Sequence, residues 1–102
     1  IMNGEDANSY VIKNVVEELV AFHLDDCIAA AGTCGCPRCR ADITAYTLNH
    51  FPPRYVVTEM GDILVRANMM TPQSGADIIA EVMQAIKVVS QSPHHKSESP
   101  VG

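Results

Sequence analysis

Residues 34–56 decide the fold of this 102-residue chain, and they read CGCPRCRADITAYTLNHFPPRYV. Pro37 suits the first turn of a helix, where its missing N–H removes no helical hydrogen bond. The Pro-Pro pair at 52–53 stops that helix at about Phe51, because a residue before proline avoids helical backbone angles. Residues 54–58 are rich in β-branched and aromatic side chains. The stretch therefore predicts a cysteine-rich helix start, a helix and then a strand.

Two more helices are predicted around this stretch. Over residues 9–31, apolar side chains recur at helical spacing, and the stripe is broad enough to be covered on more than one side. In so short a chain, a partner subunit is a reasonable cover. Downstream, the Gly-Asp pair at 61–62 indicates a turn, and residues 63–66 predict a returning strand. A third helix is predicted from Thr71, its cap, to the residue before Pro93.

Together these elements predict an α-rich α+β fold with three helices and one short β-hairpin. A lone hairpin is marginal in water, so it must pack on helices or pair with a second hairpin across a dimer. We therefore expect an intertwined homodimer. The chain is too short for two domains. Residues 1–8 are predicted to be a flexible N-terminus, residues 9–90 a single domain, and residues 91–102 a disordered tail.

Composition narrows the classes of function. Hydrophobic residues make up 47% of the chain and charged residues 19%, as in an ordinary globular domain. The formal net charge of -5 argues against direct nucleic-acid binding, which uses Lys and Arg to face phosphates. The sequence shows no apolar run of the roughly 20 residues that span a bilayer and no secretion signal. A cytoplasmic protein that binds neither nucleic acid nor a membrane is predicted.

The four cysteines are the strongest chemical signal, and their spacing is C-x6-C-x-C-x2-C. Thiolates at this spacing supply the tetrahedral ligand set of a structural zinc ion, which would pin the end of the first helix to the start of the second. An iron–sulfur cluster would use the same ligands, and disulfides or free thiols are the remaining interpretations. Four thiolates close the metal shell, which argues against an enzyme. The predicted metal ligands are Cys27, Cys34, Cys36 and Cys39.

Residues 34–56 resemble the signature of the late competence development ComFB family. That signature is a C-x-C-x-x-C run, an Asp, a helix end rich in Ala and Leu, and L-P-P-R-Y-V. Here Phe51 replaces the Leu, and residues 46–47 interrupt the Ala-Leu run. The resemblance covers about residues 8–95. It implies a zinc-binding homodimer; cyanobacterial members act as receptors for cyclic di-AMP or cyclic di-GMP, and the Bacillus member is tied by its operon to DNA-uptake competence.

The resemblance makes six residues candidate contacts to a cyclic dinucleotide. The Arg54 guanidinium would donate two parallel hydrogen bonds to phosphate oxygens, and the Tyr55 ring would stack on a purine. Polar groups of the second helix would read base edges. The alternatives are a surface ion pair for Arg54, a core position for Tyr55 and a solvated helix face. The six candidates are Arg38, Asp42, Asn49, Pro53, Arg54 and Tyr55.

The favoured function is a dimeric, non-enzymatic receptor for a cyclic dinucleotide that contains a structural zinc ion and acts on an unknown protein partner. The alternative is a zinc-binding dimeric interaction protein, in competence or a related process, that takes no small ligand. Arg54, Asp42 and Asn49 separate these two functions. A shared solvent-filled groove at a dimer interface favours the receptor, whereas mutual burial of the three side chains favours the interaction protein.

Overall fold

The computed structural model describes residues 10–91. The predicted α-rich α+β class is confirmed, with four helices rather than three in this range. The predicted flexible N-terminus lies outside the described residues, and so does the predicted tail apart from Gln91. In chain order the elements are β1 (Lys13–Asn14), α1 (Val15–Ala31), α2 (Pro37–His50), β2 (Tyr55–Val56), α3 (Glu59–Met69) and α4 (Pro72–Gln91).

The first helix begins later than predicted, at Val15. Asn14 has an extended backbone, and its side-chain oxygen accepts a hydrogen bond from the backbone N–H of Val16 at 3.1 Å. The same oxygen accepts a second bond from the backbone N–H of Arg54 at 2.8 Å. Asn14 therefore caps α1 and also fastens it to a segment forty residues away. Helical periodicity cannot reveal such a contact, which is why the helix was predicted from residue 9.

The sheet joins two distant segments instead of forming a hairpin. β1 and β2 pair antiparallel, with Lys13 opposite Val56 and Asn14 opposite Tyr55. The backbone N–H of Val15 donates to the carbonyl of Arg54 at 2.9 Å and extends this contact into the first turn of α1. The sheet therefore fixes where the chain after α2 meets the start of α1.

The prediction of a second hairpin strand is wrong, because residues 63–66 belong to α3. Thr58 caps this helix, and its hydroxyl accepts a hydrogen bond from the backbone N–H of Gly61 at 3.0 Å. Gly61 and Asp62 thus lie in the first turn of a helix rather than in a β-turn. A threonine cap followed by Glu59 is a helix-start signal that outweighs the Gly-Asp pair.

The helices α1 and α4 run in the same direction. Near their starts, Leu19 and Ile78 line one small cavity, and near their ends the hydroxyls of Thr33 and Ser90 lie 2.9 Å apart. Because α2 follows the loop 32–36 and leads to β2, which pairs with β1, it runs the opposite way. The end of α1, the start of α2 and the end of α4 therefore meet at what we name the cysteine end. The β1–β2 sheet lies at the other end, the sheet end.

The core lies where α1, α2 and α4 meet. On α2, Cys39, Ile43 and Thr47 are buried one helical turn apart, and the Thr47 hydroxyl donates to the Ile43 carbonyl at 2.9 Å. This internal bond lets a polar residue occupy a fully buried position. No helix among residues 10–91 combines the length and apolar character needed to cross a bilayer. The largest fully buried aliphatic side chains are those of Val15, Val16, Val20, Ile43, Ile78 and Val82.

Replacing Asn14 by Ala should lower the free energy of unfolding by about 1–2 kcal/mol, because the cap of α1 and the bond to Arg54 are lost together. Urea denaturation of the purified protein measures this change. Asn14→Asp keeps a side-chain oxygen acceptor and is the matched control, expected to retain most of the stability. Equal losses in both variants would contradict the role of this oxygen.

Candidate metal centre

The start of α2 positions the cysteines. Gly32 ends α1 with a left-handed backbone (φ 65°), where glycine is favoured, and the chain then turns toward α2. Cys36 is the N-cap of α2, and its sulfur accepts a hydrogen bond from the backbone N–H of Cys39 at 3.4 Å. Pro37 occupies the first turn, as predicted. The C-x-x-C spacing therefore places two sulfur atoms at one helix N-terminus.

Three of the four predicted ligands come together. The sulfur atoms of Cys34, Cys36 and Cys39 all lie within 4.8 Å of one another, and no carboxylate or imidazole among residues 10–91 joins this group. Cys34 is exposed, Cys36 is half-buried and Cys39 is buried. Cys27 lies outside the group and packs in the hydrophobic core, where it is 5% exposed. None of the four forms a disulfide in this structure.

The protonation of these thiols follows their surroundings. The Cys39 N–H that points at the Cys36 sulfur lowers the pKa of the Cys36 thiol. Burial raises the pKa of Cys39 to about 12, and the adjacent sulfur atoms of Cys36 and Cys34 act in the same direction. Three neighbouring thiols resist ionising together, because each negative charge opposes the next. A divalent cation removes this conflict, since metal binding deprotonates a coordinating thiol.

The donor set fits zinc. Three soft sulfur ligands at one helix N-terminus supply three of the four corners of a tetrahedral site. The flanking arginines are paired with carboxylates: Arg38 Nε lies 3.2 and 3.1 Å from the two oxygens of Asp42, and Arg40 pairs with Asp25. These arginines therefore do little to neutralise extra thiolate charge at the centre.

The six candidate nucleotide contacts fall into two separate groups. Arg38 and Asp42 form their ion pair at the cysteine end, whereas Asn49 lies near the end of α2. Eleven residues of helix, from Arg38 to Asn49, span about 16 Å. The remaining three candidates follow α2 at the sheet end. A cavity of about 260 Å³ beside the sheet is lined by none of the six. A single chain thus does not gather the candidates into one described groove.

The Arg54–Tyr55 pair is the most accessible part of the candidate set. The Tyr55 side chain is 61% exposed, so the alternative of a core aromatic is excluded. Arg54 uses its backbone to bond Asn14 and Val15, and its guanidinium forms no ion pair with any residue from 10 to 91. Pro53 and Asn49 are also exposed. This surface can therefore present a cation next to an aromatic ring.

A cluster of charges at the sheet end was missed by the sequence analysis. Lys13 Nζ lies 3.2 Å from Glu18 and 2.9 Å from Asp62. Arg66 Nε lies 2.6 Å from Asp62, and its Nη2 pairs with Glu18. These four residues, which we name the charge network, tie β1, α1 and α3 together. The i, i+4 spacing of Asp62 and Arg66 is a helical pair, but it was hidden while residues 63–66 were assigned to a strand.

The charge network should weaken in acid. Hydrogen bonds from Arg66 lower the pKa of Glu18, and those from Lys13 lower the pKa of Asp62. The stability they contribute is therefore present above the unfolded-state pKa values of about 4 and is lost as pH falls through the lower folded values. The free energy of unfolding of wild type should exceed that of Asp62→Asn at pH 7, and the difference should shrink as the pH falls below about 4. A constant difference across this range would contradict the prediction.

The sequence profile of a family described as late competence development protein ComFB matches residues 13–93. No curated protein sequence matches the chain.

The structure is similar to a solved structure from Bacillus subtilis, described as a structural characterization of the late competence protein ComFB. The two superpose with a TM-score of 0.73 at 25% sequence identity, over 81% of this chain and 92% of the other. The profile spans the sheet, all four helices and the three clustered cysteines. This chain therefore belongs to the ComFB family of late competence development proteins.

Proposed function

We propose that this chain is a non-enzymatic regulatory module in which Cys34, Cys36 and Cys39 hold a structural zinc ion. The observation that carries the proposal is the convergence of the three sulfur atoms within 4.8 Å at the N-terminus of α2. Zinc would join the loop after α1 to the first turn of α2, which is the role of a structural site. Four cysteines without a disulfide suit a reducing compartment, and we propose that the protein is cytoplasmic.

Metal analysis tests the first half of this proposal. Protein purified without chelator should contain about one zinc ion per chain, as one tetrahedral site holds. The Cys34→Ser/Cys36→Ser variant should contain none. Bound iron with the absorption of an iron–sulfur cluster would show that the cofactor is such a cluster and not zinc. Absence of any bound metal in the wild-type protein would refute the metal centre itself.

We further propose that the module acts as a homodimer through its sheet end. Met60, Ile63 and Leu64 share one face of α3 and are 62%, 54% and 59% exposed. Val57, the residue after β2, adds exposed apolar surface next to this helix. Each strand of the sheet has only two residues, which is marginal without further pairing. A second copy, related by two-fold symmetry, would cover the same patch on both chains.

Light scattering after gel filtration tests the dimer. The wild-type protein should have twice the mass of one chain, and Ile63→Asp should shift it to the monomer because a charge would enter the interface. Lys87→Asp, an exposed position on α4, is the control and should remain dimeric. A monomeric wild-type protein would refute this half of the proposal without touching the metal centre.

A second candidate function is binding of a cyclic dinucleotide, cyclic di-AMP or cyclic di-GMP, at the Arg54–Tyr55 surface. The specific support is that Arg54 has no ion-pair partner among residues 10–91 and stands next to an exposed ring. In a homodimer this pair occurs twice, which suits a ligand with two phosphates and two bases. Asn49 and Pro53 at the same end would complete the surface. Asp42 and Arg38 lie at the cysteine end of the same chain and would not join this surface within one chain.

Calorimetric titration of the zinc-loaded protein with each nucleotide tests the receptor function. Binding of about one nucleotide per dimer, abolished by Arg54→Ala and retained by Lys87→Ala, would support it. Lys87→Ala removes an equal charge from a distant helix. If neither nucleotide binds to a protein that keeps its zinc and its dimer, the receptor function is refuted. The remaining function is then an interaction module with an unknown protein partner.

A further inference from the structure

Two of the three clustered cysteines lie against each other across the first turn of α2. Cys36 is the N-cap of this helix, and Cys39 is its third residue. Side chains at these two positions meet over the first turn, as they do in a capping box. The Cys36 sulfur accepts the Cys39 N–H at 3.4 Å, and the two sulfur atoms lie within 4.8 Å of each other. A covalent bond between these sulfur atoms would therefore leave the helix intact.

The two side chains differ in their access to solvent. Cys36 is half-buried, whereas Cys39 is 3% exposed. A small oxidant can therefore reach the Cys36 sulfur, while the Cys39 sulfur is held close to it on the buried side. An accessible thiol at a helix N-terminus, with a second thiol beside it that can resolve the oxidised form, is the arrangement of a redox-active C-x-x-C pair.

The other two cysteines are less suited to this pairing. Cys34 lies in the loop before α2, so its position relative to the pair depends on the loop and not on helical geometry. Cys27 packs in the hydrophobic core, outside the thiol group. Cys34 can therefore serve as a metal ligand without being the disulfide partner, and Cys27 takes part in neither role.

We propose that Cys36 and Cys39 are a redox-sensitive pair that a hydroperoxide converts to a disulfide, and that this disulfide prevents metal binding. The second half of the inference rests on the proposed metal centre and gives it a means of regulation. The disulfide removes two of the three sulfur ligands, and Cys34 alone cannot supply a tetrahedral site. Disulfides in cytosolic proteins are usually transient and redox-sensing, which agrees with the proposed cytoplasmic location.

The reaction balances with one molecule of hydroperoxide, ROOH. The Cys36 sulfur attacks the terminal oxygen, the O–O bond breaks, and the products are a sulfenic acid and the alcohol ROH. The Cys39 sulfur then attacks the Cys36 sulfur, an S–S bond forms and water leaves. Two thiols thus lose two electrons and two protons, and ROOH is reduced to ROH and water. If both sulfurs start as metal-bound thiolates, the two protons come from solvent instead.

Oxidation of the zinc-loaded, full-length protein by hydrogen peroxide tests the inference. A chromophoric chelator measures the released zinc, and mass spectrometry after alkylation of the denatured protein counts the protected cysteines. Wild type should release its zinc while two of its four cysteines become protected. Dithiothreitol should restore both thiols and zinc binding by thiol–disulfide exchange. Because trypsin cleaves after Arg38, a Cys36–Cys39 disulfide is detected as a link between two peptides.

Two variants make the assignment specific. Cys27→Ala should release zinc and form the disulfide as wild type does, because Cys27 lies outside the thiol group. Cys34→Ser, stripped of metal by a chelator, should still form the Cys36–Cys39 disulfide with peroxide, because the pair does not need Cys34. Loss of the disulfide in Cys34→Ser would contradict the pairing.

Other results would overturn the inference and distinguish it from the metal centre. Retention of zinc, with all four cysteines open to alkylation, would refute the redox pair and leave the metal centre standing. A disulfide that joins Cys34 to either neighbour would refute the pairing of Cys36 with Cys39. A wild-type protein without zinc would refute the metal centre, and a Cys36–Cys39 disulfide in that protein would still establish the redox pair.

Discussion

Removing the metal from the cysteine centre is expected to lower the midpoint of thermal unfolding by about 15–30 °C. A ligand present at about 1,000 times its Kd stabilises a folded protein by roughly 4 kcal/mol, and each kcal/mol is worth about 4–8 °C in a domain of this size. The physical reason is that the metal would hold the first turn of α2, where Cys39 is the only buried residue. Calorimetry of the protein with and without a zinc chelator measures the shift.

Two variants make this result specific. Cys36→Ser should unfold at the temperature of the chelated wild-type protein and should not respond to chelator. Cys27→Ala should lose some stability through core packing, but it should keep its zinc and its chelator response because Cys27 lies outside the thiol group. If Cys27→Ala lost its metal instead, the four-cysteine site predicted by sequence spacing would be correct.

Replacing Ile78 by Ala is expected to lower the free energy of unfolding by about 2–5 kcal/mol. Ile78 is 1% exposed and lies in the core between α4 and α1, so truncation leaves a cavity there. Its neighbour Ile79 is 39% exposed on the same helix, and Ile79→Ala should cost at most about 1 kcal/mol. Urea denaturation of both zinc-loaded variants measures the difference.

The comparison also tests how α4 packs. The two substitutions remove the same atoms from adjacent positions, so helix propensity cancels and only burial differs. Equal losses would mean that the outward face of α4 is also covered, as it would be if the dimer interface extended to this helix. A small loss at Ile78 would contradict the arrangement of the core.

Local signals in the sequence predicted α2 well. Pro37 at its start and the Pro-Pro pair after it act within a few residues, through fixed backbone angles and missing N–H donors. The C-x-C-x-x-C run places three sulfur atoms at one helix N-terminus by the same local geometry. The α-rich class followed from helical periodicity in two long segments.

The non-local features were not predictable in this way. The partner of β2 is β1, more than forty positions earlier, and the choice depends on Asn14 bonding both Val16 and Arg54. Residues 63–66 suit a strand by composition, yet the Thr58 cap and the charge network make them helical. Such outcomes are decided by contacts between segments, which outweigh local propensity.

What the sequence by itself determined is therefore the helical class, the position of α2 and the grouping of three of the four predicted cysteine ligands, because each depends on residues within one or two helical turns. Tertiary structure alone decided that Cys27 belongs to the core and that the candidate nucleotide contacts divide between two ends. It also decided that α4 ends beside the cysteines. These depend on the directions in which α1, α2 and α4 pack, and packing direction is set by the burial of side chains distant in sequence.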